Sequence, residues 1–317
     1  MRWEDFRRSD NVEDDRDSGG GFGGGGGGGF GFPAGGGGLG IGTLVVLGLI
    51  GWALGIDPSI LIGGAEMVSG GRTQYQQPYQ QPNRRSGAPA DATGQFVSAV
   101  LGNTEDTWGD IFKQMNRQYT PPRLRLFTNA EQGGCGYAQA ASGPFYCPSD
   151  RRIYLDTSFF RQIETRFHGC SGNACKFAQA YVIAHEVGHH VQNLLGTLTK
   201  AHDAQQAVGS KVGANRIQVR VELQADCYAG IWANHSERLK DFLDPGDVDA
   251  ALQTASAIGD DTLQKQAQGR IVPDAFTHGS AEQRKRWFTA GFTQGKLSAC
   301  DTFSAAQLYR QFARAPR

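Results

Sequence analysis

The sequence lacks the motifs of a thiolate zinc site and of a serine nucleophile, and it lacks the excess positive charge that is typical of nucleic-acid-binding proteins. No C-x-x-C pair is present, which argues against a zinc site made of thiolates. No serine stands in a G-x-S-x-G nucleophile elbow. The 31 lysines and arginines are matched by 31 aspartates and glutamates, so no net positive charge favours nucleic acid as a partner.

Residues 1–38 have the composition of a disordered tail. The first 18 residues are polar and of mixed charge, and a glycine-rich tract follows from Gly19 to Gly38. The tract has neither a strand before it nor a lysine-bearing helix after it, and a phosphate-binding loop requires both. We therefore predict a low-complexity tail without a nucleotide site.

Residues 39–56 carry no charged side chain over 18 positions, and Asp57-Pro58 ends the stretch. This length and composition predict one transmembrane helix. The stretch begins far from Met1 and lacks a basic region directly before it, so we expect an uncleaved anchor rather than a signal peptide. Residues 57–94, rich in Gln, Pro and Gly, are predicted to link the span to a folded domain.

All six cysteines follow the predicted span, which favours disulfides in an oxidising compartment. Few basic residues lie near the span, so its orientation is inferred from the cysteines. The C-terminal domain is predicted to be extracytoplasmic and the N-terminal tail cytoplasmic. Six cysteines allow many connectivities, and the pairing we favour is Cys135–Cys147, Cys170–Cys175 and Cys227–Cys300.

Residues 95–317 contain the patterns of a folded domain of the α+β class, mainly helical with a small β-sheet. Apolar residues at helical spacing between residues 95 and 115 predict two amphipathic helical pieces. Between residues 124 and 156, one short stretch alternates apolar residues with arginines and others carry clusters of β-forming residues. These patterns predict several strands. Ile153–Leu155 is the candidate for an edge strand that binds an extended peptide through main-chain hydrogen bonds.

One apolar stretch, Ala178–Leu195, carries two histidines and a glutamate. Its apolar residues recur at helical spacing and Gly196 supplies a C-terminal stop. His185 and His189 are four residues apart, so both rings project from one helix face and can bind one metal ion. Glu186 lies about 100° around the helix, where it can contact a metal-bound water. The alternative is an accidental match by ordinary surface or core histidines.

A catalytic zinc needs a third protein ligand, and the pattern with a third histidine fails because Gln192 and Leu195 occupy the required positions. Glu222 and Asp226, spaced i and i+4 on a second predicted helix, can both face the first helix. One would bind the ion and the other would hydrogen-bond a ligand histidine. The alternative is a solvated acidic pair. His190, His202 and His235 are weaker ligand candidates, and His168 lies in a cysteine-rich loop; for all four the alternative is a structural or surface role.

These residues resemble the gluzincin clan of metallopeptidases, and the whole chain is similar to the bacterial neutral zinc metallopeptidase family. Further matching segments are Asn11-Val-Glu-Asp, Phe145-Tyr-Cys-Pro, Tyr154-Leu-Asp, Thr277-His-Gly-Ser and Arg286-Trp-Phe. The resemblance implies a zincin-like domain at the bacterial inner membrane. It also implies that His185, His189 and Glu222 bind Zn²⁺, that Glu186 is the general base, and that Asp226 orients His185.

The same resemblance gives His278 a catalytic role. Thr277-His278 is similar to a Thr-His-Pro segment of the prenyl-protease relatives, except that Gly279 replaces the proline. His278 would then donate a hydrogen bond to the tetrahedral oxyanion, supported by Arg284 or Arg286. The alternative is that His278 caps a helix that starts near Ser280.

The sequence therefore predicts a membrane-anchored, zinc-dependent endopeptidase whose partners are peptide or protein substrates and the membrane, and not nucleic acid. One alternative is a membrane-tethered binding or scaffold protein with a structural zinc site, which would need four protein ligands. Another is a zinc hydrolase that acts on non-peptide substrates. The sequence does not indicate the oligomeric state or the cleavage specificity.

Overall fold

The computed structural model of the protein describes residues 1–16, 85–86, 89–139, 143–165, 168 and 170–304. Within them the chain is α+β and mainly helical, as predicted. The strands are β1 (Val12–Asp14), β2 (Arg85–Ser86), β3 (Arg123–Phe127), β4 (Ala130–Gly133), β5 (Gly136–Gln139), β6 (Phe145–Cys147) and β7 (Arg152–Asp156). The α-helices are α1 (Ala92–Gln114), α2 (Ser158–Thr165), α3 (Cys175–Leu195), α4 (Thr197–Ala207), α5 (Lys211–Lys240), α6 (Asp247–Ala257), α7 (Asp260–Gln268) and α8 (Ala281–Gln294).

Five of these strands form one mixed sheet in the order β2-β1-β3-β7-β6, and β4 and β5 form a separate hairpin. Strands β1, β3 and β7 are parallel, whereas β2 and β6 are antiparallel to their neighbours. The predicted edge strand, Ile153–Leu155, was placed wrongly. It lies inside the sheet as part of β7, and the edge on that side is β6. Sheet order depends on pairing between distant segments, which local periodicity does not contain.

The first 16 residues correct the predicted boundary of the N-terminal tail. They belong to the same compact unit as the domain after residue 84, and the side chains of Met1, Phe6 and Val12 are buried in its core. The tail predicted at residues 1–38 therefore does not begin at Met1. The folded domain also starts earlier than residue 95, because Asp91 caps a single continuous helix α1 rather than two pieces.

None of the helices among the described residues is long and apolar enough to cross a membrane. The predicted span at residues 39–56 and the glycine-rich tract lie outside the described residues, as does most of the predicted linker 57–94. The three predicted disulfides are confirmed: Cys135–Cys147, Cys170–Cys175 and Cys227–Cys300.

Helix α3 crosses α5 at very short distance, and a glycine makes this possible. A Cβ atom on Gly188 would lie 2.9 Å from the carbonyl oxygen of Ala225 and 3.1 Å from its Cα. Any other residue would push the two backbones apart. Helix α3 is buried along most of its length and ends, as predicted, at Gly196 with a left-handed φ of 78°. The close crossing brings the polar residues of both helices together.

Candidate metal centre

Three side chains from the crossing of α3 and α5 converge on one point. The Nε2 atom of His185 lies 3.2 Å from Oε2 of Glu222, and the Nε2 atom of His189 lies 3.5 Å from the same oxygen. All three ligand atoms lie within 4.8 Å of one another. Tetrahedral zinc with ligand bonds of about 2.0–2.1 Å separates its ligand atoms by roughly 3.4 Å. The three side chains therefore fit a zinc ion, and they are the three that the family resemblance implied.

Hydrogen bonds on the far side of each imidazole set its tautomer. The Nδ1 atom of His185 lies 2.8 Å from Oδ1 of Asp226, and the Nδ1 atom of His189 lies 2.9 Å from Oε1 of Gln192. Both partners are acceptors, so each Nδ1 carries a hydrogen, and each Nε2 is the ring atom that faces Glu222 and can bind a metal ion once it has lost its own proton. This is the arrangement that metal-ligating histidines adopt.

The two oxygens of the Glu222 carboxylate have different partners. Its Oε1 accepts a hydrogen bond of 2.9 Å from Nε2 of Gln218, one turn earlier on α5, and its Oε2 faces the two imidazoles. Burial disfavours the charged form, yet attraction to His189 and hydrogen bonds from both histidines lower the pKa of Glu222 well below its usual value. Glu222 is therefore ionised, as a metal ligand would have to be.

Asp226 has no exposed side-chain surface and is the centre of a buried hydrogen-bond network. It accepts hydrogen bonds from the Tyr181 hydroxyl at 2.6 Å and from the Nε and Nη2 atoms of Arg284 at 2.8 and 2.9 Å, besides the one from His185. Burial opposes its charge, but Arg284 and His185 outweigh that effect and hold the pKa of Asp226 far below its usual value. Asp226 thus orients His185 as an anion.

Arg284 and Tyr181 extend this network in a way that the sequence analysis missed. Arg284 is buried against Asp226 and also donates a hydrogen bond of 3.1 Å to the Tyr181 oxygen, so it supports Asp226 and, through Asp226, the His185 ring. Tyr181 lies four residues before His185 on the same face of α3. That spacing could have identified it.

The charge state of His185 without metal shows how strongly the site attracts cations. Burial of the ring disfavours a positive charge, but attraction to Asp226 and the hydrogen bonds that the ring donates to Asp226 and Glu222 raise the pKa of His185 to about 10. A proton therefore occupies the position that a metal ion would take. Metal binding here must release protons.

Glu186 follows the first ligand histidine and is almost fully buried. Burial raises the pKa of Glu186 above its usual value, although His185 and His189 act in the opposite direction. The backbone of Tyr146, on the edge strand β6, lies close enough to the Glu186 carboxyl to favour its charged form. A carboxyl group with a raised pKa beside a metal position suits proton transfer.

The side chain of Tyr146 fixes the edge strand to α3. Its hydroxyl lies 3.0 Å from Nδ1 of His190 and accepts a hydrogen bond of 2.8 Å from Nδ2 of Asn193. His190 bonds through Nε2 to the Thr120 carbonyl at 2.7 Å, and burial lowers its pKa to about 4. His190 is thus a neutral structural residue. Among the described residues, the group that could hold a metal ion does not include His168, His190, His202 or His235.

His278 lies on a loop that Asp260 holds in place. Oδ2 of Asp260 accepts backbone hydrogen bonds from Thr277, His278 and Gly279 at 2.7, 2.6 and 2.9 Å. Its Oδ1 lies 3.3 Å from Nδ1 of the half-exposed His278 ring. The helix cap that the sequence analysis considered for His278 is made by Ser280, which forms a capping box with Gln283.

The backbone conformation at Gly279 excludes proline, which stands at this position in the pattern that Thr277-His278 resembles. Its φ of 95° lies in the left-handed region, which proline cannot adopt, and its N–H bonds to Asp260. A Cβ atom at Gly279 would lie 3.1 Å from Cδ2 of Leu223 and 3.4 Å from Cγ1 of Val219, so the loop packs on α5 around Glu222. The surrounding protein disfavours the charge of His278, but Asp260 and Glu222 outweigh it and raise its pKa.

One protein family and several bacterial proteins are similar to this chain over most of its length. The model of a protein family described as "Putative neutral zinc metallopeptidase" matches residues 1–303. The uncharacterized protein YpfJ of Escherichia coli K12 is 45% identical over 304 residues, which cover 96% of the chain and 99% of YpfJ. The uncharacterized proteins Mb2605 of Mycobacterium bovis and Rv2575 of Mycobacterium tuberculosis are 43% identical over 265 residues, covering 80% of the chain and 85% of each relative. No solved structure matches the chain with significance.

Proposed function

Because the chain belongs to the neutral zinc metallopeptidase family, we propose that it is a zinc-dependent endopeptidase in which Glu186 is the general base. The observation that carries the proposal is the convergence of His185, His189 and Glu222 beside a buried glutamate of raised pKa. Three protein ligands are typical of catalytic zinc, whereas structural zinc has four. The described residues supply three, which favours the peptidase over the scaffold alternative.

Each residue of the site has a role in this proposal. A zinc ion held by the three ligands would lower the pKa of a water molecule and polarise the scissile carbonyl. The Glu186 carboxylate accepts a proton from the attacking water and later gives it to the leaving amine. Asp226 keeps the Nε2 lone pair of His185 directed at the metal position.

His278 is proposed to stabilise the oxyanion. Nδ1 faces Asp260, so Nε2 remains as the ring atom that donates a hydrogen bond to substrate. Glu222 contributes to the raised pKa of the ring, which places the His278 loop within electrostatic reach of the metal ligands. Asp260 acts through His278 and is therefore a positioning residue.

The edge strand β6 is the proposed binding site for an extended peptide. Within an antiparallel strand the N–H and C=O groups of one residue point to the same side. The Tyr146 backbone lies near Glu186, and β6 is at the end of the strand order, so its free edge is the proposed side for a substrate. A substrate strand added there would lie with its backbone next to the general base.

The test uses the purified full-length chain. Metal content is measured by mass spectrometry, and cleavage of a quenched fluorescent peptide library is followed with and without a chelator. Ester and non-peptide amide substrates run in parallel separate a peptidase from other zinc hydrolases. We expect one zinc per chain and peptide cleavage that the chelator abolishes and zinc restores. Peptide cleavage that persists in metal-free protein would contradict the proposal.

A further inference from the structure

The N-terminal segment, residues 1–16, is part of the folded domain by its backbone pairing. Strand β1 lies between β2 and β3, so it is an interior strand of the sheet. The Leu124 N–H donates to the Asn11 carbonyl at 2.9 Å, and the Asp15 N–H donates to the Leu126 carbonyl at 2.9 Å. Val12, between them, has no exposed surface. Without the segment, β3 would become an open edge beside an uncovered core.

Buried charges in the domain also depend on the segment. Arg125 of β3, whose side chain is 3% exposed, pairs with Glu13 at 2.8 Å and with Asp15 at 3.2 Å. Its third partner, Glu131, lies in the domain itself. A buried guanidinium that lost two of its three carboxylates would be strongly destabilising. The buried charge of Arg125 is therefore compensated mainly by carboxylates of the N-terminal segment.

A second buried charge on another element leads to the same conclusion. Glu105 of α1 accepts hydrogen bonds from the Ser9 hydroxyl at 2.6 Å and from Nδ2 of Asn11 at 2.8 Å, and it pairs with Arg7 at 2.7 Å. The segment thus satisfies buried polar groups on both the sheet and the first helix. Residues 1–16 are therefore an integral part of the domain and not a peripheral attachment.

From these contacts we propose that residues 1–16 lie on the same side of any membrane as the domain that contains the candidate metal centre, residues 89–304. A single crossing at residues 39–56 would place residues 1–38 on one side and the domain on the other, so it is incompatible with an interior strand β1. Asp14 of β1 and Arg85 of β2 are paired in register. The residues that connect the two strands therefore begin and end at the same point of the sheet. Any membrane crossings in that connection must be even in number, zero included.

This inference does not depend on the peptidase proposal, and it replaces the predicted topology of a cytoplasmic tail and an extracytoplasmic domain. Wherever the three disulfides form, residues 1–16 are in the same compartment. The first test measures the side directly in the full-length chain. Asp10→Cys and Asp249→Cys place a single thiol at exposed positions of the segment and of the domain, while all six native cysteines are paired.

Both variants are labelled with a membrane-impermeant maleimide in intact cells and again after lysis, with the unaltered chain as background. We expect the same pattern for the two variants, either labelled in intact cells or labelled only after lysis. If one thiol is labelled in intact cells and the other only after lysis, the two segments lie on opposite sides and the proposal is overturned.

The second test asks whether β1 stabilises the domain. Val12→Ala and Val12→Asp are compared with the exposed control Asp10→Asn in thermal unfolding of the purified full-length chain, in the presence of a chelator. We expect a lower unfolding midpoint for Val12→Ala, a still lower one or loss of folding for Val12→Asp, and no change for the control. Unchanged midpoints for both Val12 variants would overturn the proposal, whatever the result of peptide cleavage.

Discussion

Replacing Arg284 by methionine tests the buried network behind the metal centre. The Arg284 and Asp226 side chains are 4% and 0% exposed and are joined by two hydrogen bonds of 2.8 and 2.9 Å. Removing one partner of such a pair leaves a buried charge with less compensation, at a cost of about 3–5 kcal/mol. In a domain of this size, 1 kcal/mol corresponds to a shift of about 2–4 °C in the unfolding midpoint. Arg284→Met should therefore lower the midpoint by roughly 6–20 °C.

The assay is calorimetric unfolding of the metal-free chain, so that the loss of metal ligation does not contribute. Lys285→Met is the matched control, since it removes the same charge from the next, exposed position of α8. We expect the control to remain within about 2 °C of the unaltered chain, in keeping with surface substitutions. An Arg284→Met midpoint as high as that of the control would refute the account of the network.

The double variant Arg284→Met/Asp226→Asn shows whether the cost comes from the uncompensated charge. The asparagine removes the charge and can keep its oxygen toward Nδ1 of His185. We expect the double variant to be more stable than the sum of the two single changes predicts, by about 1–3 kcal/mol. Additive losses would mean that Asp226 and Arg284 contribute independently.

Three further predictions concern the chemistry and its pH dependence. Glu186→Gln should keep one zinc per chain and lose peptide cleavage, measured by metal analysis beside the cleavage assay; retained cleavage would remove Glu186 from its role. Asp260→Asn should lower kcat with little change in KM and should move the NMR titration of His278 to lower pH, because the carboxylate that raises its pKa is gone; an unchanged titration would contradict the positioning role. His190 has a folded pKa of about 4, below its usual value, so stability should fall as pH drops from about 6.5 toward 4, and His190→Gln should flatten that slope in urea unfolding.

The metal helix could be predicted from sequence because its signals are local. The spacing of His185 and His189 is set by helix geometry, and the i, i+4 pair of Glu222 and Asp226 repeats that geometry on a second helix. The sequence placed one member of that pair at the ion only through the family resemblance. The structure gives the physical reason, because Asp226 is bonded to Nδ1 of His185 and Glu222 faces Nε2.

The N-terminal strand could not be predicted because its stability comes from distant residues. Strand β1 is three residues long and flanked by charges, which is the composition of a solvated tail. Glu13 is tolerated in the interior only because Arg125, 112 positions later, neutralises it. Asp260 was missed for a similar reason, since it holds His278 across 18 residues without any motif. In each case a polar side chain acquires its role from tertiary contacts.

Three side chains are proposed to bind one zinc ion and to leave a position for water. A crystal structure of the zinc-loaded Glu186→Gln chain, with anomalous scattering recorded at the zinc edge, would show this directly. We expect one ion bonded to Nε2 of His185, Nε2 of His189 and a carboxylate oxygen of Glu222, with solvent as the remaining ligand. An ion with a fourth protein ligand, or one that does not contact Glu222, would contradict this proposal.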